Sequence, residues 1–207
     1  MPRLILASAS PRRLELLRQI GLEPDLVEPS SVPEDVRPGE LPRLHATRLA
    51  EAKLLKVAAN HPGDFVLAAD MVVACGRRIL PKALDEKDAR LCLELLSGRR
   101  HRVLGAVCAM APGGRLARKL VVSTVAFRGL EPAEIDAYVA SREWHDKAGG
   151  YAIQGRGAVF VRFLAGSYSN VVGLPLFETA SLLKGLGYAK SPLFPKSPLA
   201  PKSPLAS

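Results

Sequence analysis

One carboxylate interrupts the most apolar stretch of the sequence, Phe65-Val66-Leu67-Ala68-Ala69-Asp70-Met71-Val72-Val73. An unpaired carboxylate inside a buried strand is costly. Asp70 is therefore expected at a strand end facing a cleft, where it could bind a metal or take a proton from water. A structural pairing with an arginine fits the same pattern. Glu34 lies in a loop rich in proline and could join Asp70 in a two-carboxylate magnesium site, or be a plain surface acid. Arg12 and Arg13 follow Ser10-Pro11, a good N-cap and first helical residue. Cations oppose the helix dipole there. Two arginines beside free backbone N–H groups suit a bound anion, phosphate above all, although both could simply face solvent. Lys53 falls on the apolar side of a helix near Leu49 and Ala52, where a snorkelling lysine is the plain reading. Lys82, between Pro81 and Ala83, is by itself a turn lysine.

A glycine-rich segment, Asp146-Lys147-Ala148-Gly149-Gly150-Tyr151-Ala152-Ile153-Gln154-Gly155, is too specific for a linker. Its glycines permit close backbone approach to a ligand. Gln154 offers a donor and an acceptor, which suits a nucleobase edge. No GxxxxGK[ST] sequence and no GxGxxG after a strand is present, so neither a P-loop nor a Rossmann site is indicated. No Ser-His-Asp arrangement stands out, and His45, His61, His101 and His145 lack metal-ligand spacing.

Strands and helices that alternate must position these groups, which predicts an α/β class. Leu4 to Ala7 reads as a strand, Pro11 to Gly21 as a helix and Leu22 to Val27 as a second strand. Residues 28–42 read as a loop, Leu44 to Ala59 as a helix and Phe65 to Cys75 as a buried central strand. Asp85 caps a helix ending at Gly98. Residues 101–110 and 119–128 form two strands around the Pro112-Gly113-Gly114 turn, and Pro132 opens a helix to about Ser141. Ala158 to Leu164 is a predicted strand and 175–187 a last helix.

The 207 residues carry a formal net charge of +9, which suits anionic partners. The basic residues are scattered and not interleaved with aromatics, so nucleic-acid binding is poorly supported. No run approaches the length of a membrane helix, and no signal-peptide layout opens the chain, so a cytoplasmic protein is expected. Cys75, Cys92 and Cys108 sit in apolar surroundings and read as buried, inert thiols. Residues 1–189 are expected to form one domain. Residues 190–207 hold three Lys-Ser-Pro-Leu repeats and are expected to be a disordered tail.

Taken together, the motifs resemble the Maf family of nucleoside triphosphate pyrophosphatases. The matching segments are Ser8-Ala9-Ser10-Pro11-Arg12-Arg13, Ala69 to Val73, Lys82, Leu96-Ser97-Gly98 with His101 and Val103, Asp146 to Gly155, and Gly166-Ser167-Tyr168-Ser169-Asn170-Val171-Val172-Gly173-Leu174-Pro175-Leu176. They occur in family order and span about residues 3–188. The resemblance implies an elongated fold of the Maf and inosine-triphosphatase type, a mixed twisted sheet flanked by helices, with two lobes around a cleft. It implies cleavage between the α and β phosphates to a monophosphate and pyrophosphate. Arg12, Arg13, Lys53 and Lys82 would hold the triphosphate, with Ser8 beside them. Glu34 and Asp70 would hold a divalent ion (Mg²⁺, Mn²⁺ or Co²⁺), and Asp70 would accept the proton of the attacking water. Gln154, with Arg12 and Met71, would read the base. The glycine loop resembles the branch acting on dTTP and UTP. A homodimer stays open. The sequence departs from the family pattern at Met71, where threonine is usual, at Pro81 and Ala83 flanking Lys82, and at Gly105. These departures leave a catalytically weakened nucleotide-binding regulator linked to cell division as the alternative.

Overall fold

The computed structural model describes residues 2–190, so the repeat tail expected beyond Lys190 lies outside the described residues. Leu4–Leu6 form β1, fully buried, and Pro11–Gln19 form α1 with proline at its first turn. Then come β2 (Leu26–Val27), α2 (Pro42–Ala58), β3 (Phe65–Cys75), β4 (Arg78–Leu80), β5 (Lys82–Ala83) and α3 (Glu86–Leu96). The long pair β6 (Arg100–Met110) and β7 (Leu116–Phe127) is followed by α4 (Pro132–Ala140), β8 (Lys147–Ala148), a 3₁₀ turn (Arg156–Phe160), β9 (Val161–Ala165), α5 (Tyr168–Val172) and α6 (Leu176–Gly185). Asp85 caps α3 as predicted, accepting from the Asp88 N–H at 2.7 Å, with Glu86 and Asp88 in the first turn.

The main sheet runs β2-β1-β3-β6-β7-β9, with β4 also paired to β3. β1 pairs in parallel with β2 and β3, and the remaining pairs are antiparallel. β6 lines one edge of β3 from Val66 to Ala74. On the other edge β1 pairs only to Leu67, and β4 begins only at Val73. From Ala68 to Val72, then, β3 has a strand neighbour on one side only, and the sheet has a gap. The core divides along the two faces. α2 covers one face through Ala46, Ala50, Leu54 and Val57. The larger cluster on the other face takes side chains from α1, α3, α4, α5 and α6. Among the described residues no helix is long and apolar enough to cross a membrane.

Several expected boundaries shift. The strand expected over 22–27 shrinks to two residues, because Pro24 lacks the N–H a ladder needs and Asp25 turns to accept the Leu4 N–H at 2.7 Å. The strand expected from Ala158 starts at Val161, preceded by the 3₁₀ turn. The five-residue α5 is too short for hydrophobic periodicity to reveal. Cys92 and Cys108 are buried as expected, and burial pushes their thiols up to about 11 and about 12. Cys75 is only half-buried.

Candidate active site

The gap beside β3 opens into a cleft lined by Ser8, Arg12, Arg13, Glu34, Lys53, Asp70, Met71 and Lys82, with Ser30, Asp146 and Lys147. Of the residues predicted for the site, all but Gln154 therefore meet in one place. Asp70 is not at a strand end, which corrects that expectation. It sits in the middle of an eleven-residue strand. It reaches a cleft because its neighbour β1 stops short, and strand pairing cannot be read from one strand's pattern.

β3 sends Asp70 to the side covered by α2, and α2 answers with Lys53. The Lys53 Nζ donates to Asp70 Oδ1 at 2.7 Å, and both side chains are 9% exposed. Lys53 is thus a buried ion-pair partner and does not snorkel. The same ammonium lies 2.5 Å from Glu34 Oε1, and Lys82 Nζ lies 3.1 Å from Glu34 Oε2. Burial opposes ionisation of Glu34, but the hydrogen bonds from Lys53 and Lys82 outweigh it and hold its carboxyl below the usual range. Burial likewise opposes the charge on Lys82, and Glu34 overcomes it and raises the ammonium above its ordinary value.

Opposite these groups stands the first turn of α1. The Ser10 side chain makes no cap hydrogen bond, contrary to expectation, and its backbone N–H donates to Ser8 Oγ at 3.2 Å. Arg13 donates from Nη1 to Ser8 Oγ and from Nε to the Gly173 carbonyl, each at 3.0 Å. Burial lowers the Arg13 guanidinium from its ordinary value, and Asp70 draws it back up. Arg12 is lowered by burial too, with Asp146 opposing. The arginines do not simply face solvent. Five cationic side chains and three carboxylates line the cleft, a surplus of positive charge that suits a polyanion.

The 82 and 146 loops meet as a two-stranded sheet, β5 with β8, pairing Lys82 with Ala148. Lys82 also lies 3.7 Å from Asp146 Oδ1, a cleft carboxylate that no motif in the sequence marks as a site residue. Two glycines of this loop lie against the protein itself. Gly149 (φ +72°) would place a Cβ 2.9 Å from Val73, and Gly150 (φ +68°) would place one 3.1 Å from the Cys92 Cβ. They let the loop pack on β3 and α3.

A smaller, narrow pocket adjoins the cleft and shares Arg12, Met71, Lys147 and Ala148 with it. Val73, Val103, Tyr151, Val171 and Val172 give it apolar walls, and Gln154 stands on its exposed rim. Behind it the Tyr151 hydroxyl lies 2.8 Å from His101 Nε2.

A family profile described as Maf-like protein matches residues 3–186. The chain belongs to the Maf family. A relative from Paramagnetospirillum magneticum, named dTTP/UTP pyrophosphatase, is 65% identical over 91% of this chain and all of its own length. Another of the same name from Rhodospirillum rubrum is 62% identical over 89% of this chain and 88% of its own. Among solved structures, a HAM1 protein from Coxiella burnetii aligns with a TM-score of 0.43 at 18% identity, over 89% of this chain and all of that one. In this Maf chain, the three departures noted above have structural settings. Met71 stands opposite Gly105 in the β3–β6 register, on the pocket side. The Asn170 carboxamide, held by Val103 and Ser123, sits where a side chain on Gly105 would project. Pro81 donates nothing, yet its carbonyl accepts the Gly149 N–H at 3.0 Å and fixes the Lys82 loop.

Proposed function

We propose that this chain hydrolyses nucleoside triphosphates, dTTP and UTP foremost, to the monophosphate and pyrophosphate. The observation that carries the reading is one cavity with two chemistries: a cationic cleft runs into an apolar-walled pocket with a glutamine on its rim. The name shared by relatives at 65% and 62% identity supports the same substrates.

The residues divide the work as follows. Arg12, Arg13 and Lys82 bind the phosphate oxygens, and Lys53 holds Asp70 in register. Met71 and Gln154 meet the base. Glu34 and Asp70 fit a divalent cation: both are hard oxygen donors, and both already converge on one positive centre, the Lys53 ammonium. Among the described residues no group of three or more acidic, histidine or cysteine side chains offers an all-protein cage, which suits an ion such as Mg²⁺ or Mn²⁺ that also takes phosphate and water oxygens. When bound, that ion supplies charge neutralisation at the phosphates. Lys53 occupies Oδ1 of Asp70, which leaves Oδ2 to take the proton of the attacking water. The water oxygen bonds the α-phosphorus, the α–β anhydride bond breaks, and pyrophosphate leaves with the bonding pair. Cationic side chains placed in advance stabilise the charge that develops.

The test is pyrophosphate release from a panel of triphosphates with Mg²⁺ or Mn²⁺, comparing the natural chain with Asp70→Asn. The expected result is turnover of dTTP and UTP, abolished in Asp70→Asn while nucleotide binding persists. Tight binding with no release from any triphosphate would overturn the proposal in favour of a nucleotide-binding regulator.

A further inference from the structure

Glu34 sits on a stretch, residues 28–41, that contains no helix or strand. From Pro33 to Gly39 every residue is exposed, so core packing does not place the Glu34 carboxylate. A polar cluster outside the cleft lining does reach this loop. Arg48 on α2 donates from Nε to Glu40 Oε1 at 2.7 Å and from Nη2 to Glu40 Oε2 at 2.8 Å. The same Nη2 donates to the backbone carbonyl of Asp35 at 3.0 Å, one residue beyond Glu34. His45 Nδ1 lies 2.9 Å from Glu40 Oε2, and the Arg37 backbone N–H donates to that oxygen at 3.1 Å. The Glu40 and His45 side chains are 7% and 6% exposed, so the anchor is buried although the loop is not. The Arg48 guanidinium holds the Glu40 carboxyl far below its usual range.

We propose that Arg48 is a positioning residue for Glu34: fixed on buried Glu40, its guanidinium grips the Asp35 carbonyl and sets where the Glu34 carboxylate meets Lys53 and Lys82. A planar guanidinium suits this task, because its fork spans one carboxylate and leaves a donor for a third acceptor. The proposal rests on the reading of the cleft given above, in which Glu34 serves the reaction. It adds that the loop's order at that one point comes from α2, which also carries Lys53. One helix then aligns both the ammonium and, through Arg48, the carboxylate that it meets.

A double-mutant cycle on kcat/KM for dTTP tests it, with Arg48→Ala and Glu34→Ala alone and together. Misplacing Glu34 is expected to lower kcat/KM about 10- to 100-fold in Arg48→Ala. In the Glu34→Ala background the same change is expected to cost less than about twofold, since nothing remains to position. Additive losses overturn the proposal and leave the reading of the cleft intact. A Glu34→Ala chain with natural activity overturns both. Because Arg48→Ala strands a buried carboxylate, Arg48→Met combined with Glu40→Gln removes both charges together and still loses the Asp35 bond. That chain, shown folded by its thermal transition, is expected to lose activity like Arg48→Ala, and natural activity in it refutes the role.

Discussion

Replacing Lys53 with methionine tests the pair at the heart of the cleft. The side chain keeps about its length and loses its charge. Asp70, 9% exposed at its side chain, is then a buried carboxylate without its hydrogen-bonded partner. Removing one member of a buried ion pair costs about 3–5 kcal/mol. The lower end applies here, since Arg13 still attracts Asp70 and Glu34 is exposed enough to hydrate. At about 2–4 °C per kcal/mol for a chain of this size, the thermal midpoint should fall by about 6–12 °C. Adding Asp70→Asn to Lys53→Met removes the stranded charge, so the double variant should recover most of the loss. Saturating Mn²⁺ should also restore part of it in the single variant, because the two carboxylates then regain a cation. Calorimetry at neutral pH reads all of these. A midpoint in Lys53→Met within about 2 °C of the natural chain, or a double variant no more stable than the single one, would refute the reasoning.

Met71→Thr should lower the ratio of kcat/KM for dTTP over UTP by about fourfold, about one methylene of lost apolar contact with the thymine methyl, and an unchanged ratio in pyrophosphate release would exclude contact with that methyl. His101 is 2% exposed, and burial lowers its pKa to about 4. Between pH 6.5 and 4 the unfolded chain gains a proton that the folded chain refuses, so stability should fall by about 3 kcal/mol across that window and no further from this group below it; His101→Phe should flatten the fall in urea titrations, and an identical pH slope would remove the assignment. Gly149→Ala should cost about 2–4 kcal/mol, from left-handed backbone plus the clash with Val73, whereas Gly76→Ala, also left-handed (φ +61°) but in open space, should cost only about 1–2. Equal losses in denaturant titrations would mean that the contact with Val73 is easily relieved.

What the sequence could reveal depended on how local the cause was. The apolar run over Phe65–Cys75 and the Asp85 cap fix β3 and the start of α3 through short-range chemistry, and both stand where expected. The grouping of Arg12, Arg13, Lys53, Asp70 and Lys82 was legible only through the resemblance of several motifs, in order, to one family, because no spacing within one element brings them together. Pairing was illegible. Asp70 owes its access to the early end of β1, and Lys53 looks like a snorkelling residue until its partner on β3 is known. The glycines of the 146–155 loop signal close approach, but the neighbours of Gly149 and Gly150, Val73 and Cys92, are set by tertiary packing that the loop's own sequence does not carry. Arg48 and Glu40 carry no sequence signal at all, since their spacing is ordinary for surface residues and the burial of the Glu40 carboxylate comes from the loop folding back onto α2.

The gap in the main sheet has one more consequence. A strand with an unpaired edge is a template on which another chain can add a strand, and proteins guard such edges. Here the stretch without a strand on that side, Ala68 to Val72, meets the cleft at Asp70 and Met71, which share its lining with Arg13, Lys53 and Lys82. A second polypeptide strand would have to displace those charges to reach it. Charges of the kind that suit the cleft to a polyanion are also the kind that deter strand addition, so variants that neutralise them are expected to associate more readily as well as bind nucleotide less tightly, which light scattering would read.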